Sequence, residues 1–198
     1  MRRRTYSSLL PLLCCAVWMT CLQPMTEAKG QTQNIIGTVV GVGGRFGGRS
    51  APFRLIINNY TSPEDVQRLN AALQSGGQEG LLRELSGMEA GRIQIGNGVG
   101  VTANAIITTP QDGGTKLTVL YRRNINFFEL RYGTRSENYK FGYAELFLRN
   151  GGGNEGTFIP AAQVRSRDGN TWEVEDFGVF PARLLGLQQS RGGRSRAR

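Results

Sequence analysis

Arginines and carboxylates are the side chains with which this chain could do chemistry. Histidine is absent, and the three cysteines, Cys14, Cys15 and Cys21, all lie near the N-terminus. Without histidine there is no Ser-His-Asp triad, no Cys-His nucleophile, no His/Cys zinc site and no His-ligated haem. Carboxylate-only metal sites and carboxylate-pair hydrolysis are what remain for catalysis. Glu173, Glu175 and Asp176 cluster, with Glu129 and Glu145 elsewhere, but Glu173 and Glu175 alternate with Trp172, Val174 and Phe177. That is the pattern of a half-exposed strand whose acids face water. No catalytic residue, metal site or cofactor is expected, and the chain is read as a non-enzyme.

The arginines are the better candidates. Arg122, Arg123, Arg131 and Arg135 are interleaved with Tyr121, Phe127, Phe128 and Tyr132, and Arg45 and Arg49 project from a glycine-rich turn, GGRFGGRS. A guanidinium holds a carboxylate or phosphate through two parallel hydrogen bonds, and it stacks on aromatic rings. These six arginines form the candidate anion or ligand surface. Pairing with Glu129, Glu137 and Glu145 as surface ladders is the competing reading. The glycine runs Gly41–Gly48 and Gly96–Gly100 lack the helix that a dinucleotide-binding loop opens into, so they are read as turns and bulges.

Where these residues act depends on the first thirty positions. Three arginines, an apolar run from Leu9 to Leu22 containing Pro11, and small residues at Thr26 and Ala28 have the layout of a secretory signal peptide. The run is shorter than the roughly 20 residues of a spanning helix, so no permanent membrane span is expected. Residues 1–28 are read as signal, 29–33 as linker, 34–187 as one domain and 188–198 as a disordered basic tail. The expected location is the periplasm or outside the cell. Removing residues 1–28 also removes every cysteine, so stability must come from a core. The formal charge of +9 falls to +7 without the signal, and four of the remaining arginines sit in RGGRSRAR at the C-terminus.

The elements that carry the candidates are mostly strands. Ile36, Thr38, Val40 and Val42 alternate as a first strand, and FRLIINNY from Phe53 returns as its hairpin partner. One helical stretch follows. Ser62 is an N-cap, Pro63 suits the first turn, Glu64 and Asp65 complement the dipole, and Val66, Leu69, Ala72 and Leu73 form a stripe that Ser75-Gly76-Gly77 interrupts. Leu81, Leu85 and Met88 resume it, which predicts two short helices or one broken one. From Gly91 onward the pattern is again β, with turns at Asp112-Gly113, NGGGNEG and Arg167–Asn170, and further strands at NFFELRY and PARLLGL. The expected fold is α+β: a curved antiparallel sheet or partly closed β-barrel of about nine short strands, with one helical pair inserted after the first hairpin.

The segments GVGGRFGGRS, PEDVQRLNAALQSGGQEGLLREL, FFELRYGTRSENYKFGYAELFLRNGGGNEGTFIPAAQVR and WEVEDFGVFPARLLGL together resemble a family of exported bacterial proteins of unknown function. The resemblance spans nearly all of Ile35 to Leu187 and implies one exported domain, with no assigned site. The expected function is a non-enzymatic domain binding a small apolar or anionic ligand or an envelope component, in a pocket that Phe127, Phe147, Phe158 and Trp172 either line or fill. Its alternative is a structural or interaction protein whose solid core and basic tail meet anionic envelope partners; a carboxylate-only hydrolase ranks third. The partner is unknown beyond these classes, and export removes specific nucleic acid from the expected set.

Overall fold

The computed structural model describes residues 32–42, 48–123, 138–167, 172–176 and 181–191. Expectations that fall on the signal, on Arg45, on the strand NFFELRY with Phe127, or on Arg131 and Arg135 lie outside these residues. In chain order the elements are β1 (Gln33–Val40), β2 (Ser50–Ile57), α1 (Pro63–Leu85), β3 (Gly91–Ile95), β4 (Val101–Ala103) and β5 (Ala105–Gln111). They continue as β6 (Gly114–Arg122), β7 (Phe141–Arg149), β8 (Glu155–Ser166), β9 (Trp172–Asp176) and β10 (Ala182–Arg191). All the strand pairings are antiparallel, in the order β4-β3-β2-β1-β10-β8-β7-β6-β5, with β9 beside the far half of β8.

The described residues form ten strands where about nine are expected; the three-residue β4 has no pattern of its own, and the expected strand NFFELRY lies outside these residues. The ladder is not closed, because β4 and β5 do not pair with each other. Yet only Asn104 separates them in the chain, so the two ends of the ladder belong to one stretch. Nine strands laid flat would span about 38 Å. Instead a single buried cluster draws side chains from all nine strands of the ladder, including Ile35, Phe53, Ile93, Ala103, Ile106, Val119, Leu146, Phe158 and Leu184. The sheet is therefore strongly curled around one core.

A second cluster lies on the outer face, where Leu69, Leu73, Leu81 and Leu85 of α1 cover Ala105, Leu120, Phe141, Tyr143, Ile159, Ala162 and Val164. Strand β6 is thus buried on both faces, with Leu117, Val119 and Tyr121 turned inward and Leu120 toward the helix. This is why LTVLY reads as an apolar run interrupted only by Thr118.

α1 is one element that folds back on itself. Ser62 Oγ accepts the Asp65 amide at its start, as its sequence predicts. At Gly77 the backbone takes φ 57°, ψ −148°, a combination that side-chain-bearing residues rarely adopt. Beyond it the helix reverses: Arg68 Nε lies 2.9 Å from Glu84 Oε1 although 16 residues separate them. On a straight helix that separation would be about 24 Å. The arms approach closely because a Cβ on Gly80 would overlap the Ala72 carbonyl.

Two further readings change. In β1 the inward residues are Ile35, Gly37 and Val39, while Ile36 is 42% exposed on the outer face. Gly37 leaves room for Leu187, whose Cδ2 would lie only 2.7 Å from a Cβ there. The predicted tail also begins later than Gln188: β10 continues through Arg191, pairing Gln188, Gln189, Ser190 and Arg191 with Ile36, Ile35, Asn34 and Gln33. The same ladder makes Gln33, placed in the linker by the sequence, the first residue of β1. Backbone hydrogen bonds need no apolar side chain, and Gln189 Nε2 adds a bond to Gln33 Oε1. At Pro160 the β7–β8 register shifts as in a bulge. Phe141 pairs Ala162 but Tyr143 pairs Ile159, and beyond this shift β8 exchanges β10 for β9 as its neighbour.

Candidate functional site

The structure separates the described arginine candidates. Arg49 is exposed in the β1–β2 hairpin, where its carbonyl accepts the Gly41 amide. Arg123 is half-buried and donates from Nη1 to the Tyr139 carbonyl, 3.1 Å away. Arg122, the last residue of β6, reaches a different place: a polar cleft of about 660 Å³ at the C-terminal end of α1.

Four elements build this cleft. β3 contributes Arg92, β4 contributes Thr102, β6 contributes Arg122, and the turn after α1 contributes Ser86 to Glu89. Arg92 points outward because it alternates with buried Ile93, and its Cα partner in the ladder is Thr102. Asn104 joins the parts. Its side chain, 8% exposed, accepts the Arg122 amide at Oδ1 (2.8 Å) and donates from Nδ2 to the carbonyls of Leu85 (3.1 Å) and Met88 (3.0 Å). The carbonyls at a helix C-terminus carry partial negative charge and lack intrahelical donors, so the amide both caps α1 and fixes the backbone of Arg122.

The charges of the cleft are uncommitted. Among the described residues neither Arg92 nor Arg122 nor Glu89 forms an ion pair, and all three are exposed; Arg92 makes only a long 3.4 Å contact from Nη1 to the Val99 carbonyl. Many charges elsewhere do pair, although Arg54 and Glu173, among others, have no ion pair among the described residues. Lys116 meets Glu145 at 3.3 Å, Arg149 and Arg183 share Glu155 at 2.6 and 3.5 Å, and Arg165 meets Glu175 at 2.9 Å. These are cross-strand surface ladders of small energetic weight. They also engage the carboxylates on which hydrolysis would depend: Glu145 additionally accepts the Tyr143 hydroxyl, and Glu175 that of Tyr139. Glu173 is exposed on β9, and no group of three metal-ligating side chains occurs among the described residues.

The aromatic candidates serve packing. Phe158 is buried in the inner core, Phe147 lies under the Arg149 guanidinium at 5.3 Å, and Trp172 Nε1 donates to Asn70 on α1 at 2.7 Å. Tyr121 and Tyr143 have hydroxyl pKa values pushed well above the ordinary tyrosine value, mainly by burial. Sequence reasoning missed Arg92, Glu89 and Asn104. A single arginine in GRIQI, a glutamate after a helix and a lone asparagine between strands carry no motif, and only the folded-back helix and curled sheet bring them together.

Two further clefts among the described residues also open on the surface. One of about 440 Å³ crosses β10, β1, β2 and β3 on the face α1 leaves bare, and one of about 510 Å³ lies beside Gly77. No helix among the described residues is long and apolar enough to cross a membrane. No protein-family model, curated protein or solved structure matches the chain.

Proposed function

We propose that this is a non-enzymatic exported domain that binds a small anion in the cleft at the end of α1. The observation that carries this reading is the convergence of Arg92 and Arg122, from strands distant in the ladder, on one cleft, with no carboxylate among the described residues paired to either. Two guanidinium groups offer forked donors to a carboxylate or phosphate, and Asn104 occupies the helix carbonyls that would repel one. The inner core supports a surface site over a lipid-type cavity, because bulky side chains such as Phe53, Leu55, Leu117 and Leu146 fill it. That packed interior equally supports the second reading, a structural or interaction protein that meets anionic envelope partners through its surface and basic C-terminus. Export itself rests on the signal-like N-terminus and the family resemblance.

The test is an NMR titration of the full-length chain with glutarate and with inorganic phosphate at fixed ionic strength. Saturable shifts should appear at the Arg92 and Arg122 resonances. Arg122→Gln should weaken binding by about tenfold, as expected for a charge-assisted hydrogen bond. Shifts that do not saturate, or affinity unchanged in Arg122→Gln, would overturn the reading.

A further inference from the structure

We infer that the ligand of this cleft is a zwitterion, an amino acid-like molecule presenting carboxylate to the arginines and ammonium to Glu89. The inference rests on the anion reading above and deepens it. A site meant for an anion alone gains nothing from a carboxylate, which repels the ligand and competes for the guanidinium groups. Here the cleft contains one, three residues before Arg92. In the absence of ligand the obvious outcome would be a Glu89–Arg92 or Glu89–Arg122 ion pair. Neither forms among the described residues, although Lys116, Arg149, Arg165 and Arg183 on the same sheet find acids; Arg54 on β2 is a sheet cation that, like the cleft arginines, has no ion pair among them.

Two cations and one anion, each left without a charged partner among the described residues, make the electrostatic complement of a molecule with two negative groups and one positive. An acidic amino acid fits that description, as does an amine carrying a phosphate. Polar residues beside the charges suit the remaining hydrogen bonds of such a ligand: Thr102 and Ser86 both line the cleft, although Ser86 Oγ donates to the Leu82 carbonyl and has only acceptor capacity left. A volume of about 660 Å³ is ample for a molecule of this size.

The experiment compares L-glutamate with glutarate, which keeps both carboxylates on the same carbon chain and lacks the ammonium. Each is titrated into the full-length protein and into Glu89→Gln, with N-acetyl-L-glutamate as a blocked-ammonium control. The wild-type chain should prefer L-glutamate by about two- to fivefold, the range expected for one exposed ion pair. N-acetyl-L-glutamate should bind like glutarate, and Glu89→Gln should bind all three alike. Equal binding of L-glutamate and glutarate by the wild type would overturn the inference and leave the anion reading standing. A preference that survives Glu89→Gln would overturn the role of Glu89. Failure of every probe to bind would overturn the anion reading itself, and the inference with it. The control ligand reads the ammonium contribution in the unaltered protein, so the test stands even if the variant folds poorly.

Discussion

Replacing Asn104 with alanine should remove the one side chain that ties α1, the β4–β5 junction and β6 together. Three hydrogen bonds are lost, one from the Arg122 amide and two to the carbonyls of Leu85 and Met88. Each is worth about 1 kcal/mol net when the groups it served stay buried. Asn104 and Met88 also line the open cleft, so water can enter the space left and satisfy part of what the amide held. The Leu85 carbonyl also keeps the Met88 amide, so the expected loss is about 2–3 kcal/mol, below the sum for three fully buried orphans. For a chain of this size that corresponds to a fall in Tm of about 4–12 °C. Urea unfolding should show a lower midpoint with an unchanged m-value, because the exposed surface on unfolding barely changes. Hydrogen exchange should localise the effect, with the Arg122 amide losing protection first. Asn104→Asp sharpens the test. Its carboxylate still accepts from Arg122 but faces two carbonyls, which raises its folded-state pKa. Stability should then be fully present below about pH 4, the ordinary aspartate value, and be lost as pH rises from there through the raised folded-state pKa. A loss under about 0.5 kcal/mol in Asn104→Ala, with the Arg122 amide still protected, would refute the linking role.

Two other outcomes follow from buried tyrosines. A Cβ on Gly142 would overlap the ring of Tyr121, its Cα partner across β6 and β7, so Gly142→Ala should destabilise by about 1–3 kcal/mol through overpacking; an unchanged urea midpoint would show that the ring moves freely. Because burial raises the folded-state pKa of Tyr121 and Tyr143, their contribution is intact below the unfolded value of about 10 and is lost as pH climbs above it. Tyr143→Phe should accordingly lose less stability between pH 9 and about pH 11 than the wild type, and parallel curves would remove Tyr143 as a cause.

Local signals in the sequence located the elements well. Ser62, Pro63 and the Leu69–Leu73 stripe define α1, and Asp112-Gly113 and the NGGGNEG turn define the β5–β8 meander, because caps and turns are decided by neighbouring residues. What depended on distant partners was not legible. The inward face of β1 is disguised by Gly37, which makes sense only beside Leu187, and the polar Gln188–Arg191 segment becomes a strand only beside β1. Of the site, Arg122 was singled out for its aromatic neighbours, whereas its actual companions Arg92 and Glu89 are 30 or more positions away in sequence. No spacing rule links residues that meet only through a curled sheet and a reversed helix.

The position of β10 bears on how the molecule comes to exist. β1 to β4 form one run of neighbouring strands and β5 to β8 another, and β10 is the strand inserted between β1 and β8. Its pairing joins Gln33 to Arg191, nearly the full length of the described chain, so the slowest contact to find is also the one that joins the two halves. A ribosome delivers the N-terminus first. Each half could begin to form during delivery, but the sheet as a whole would wait for its final strand to emerge. A chain held in that waiting state has bare edges at β1 and β8 in addition to those at the ladder's ends, and would need shielding from other chains until β10 arrived.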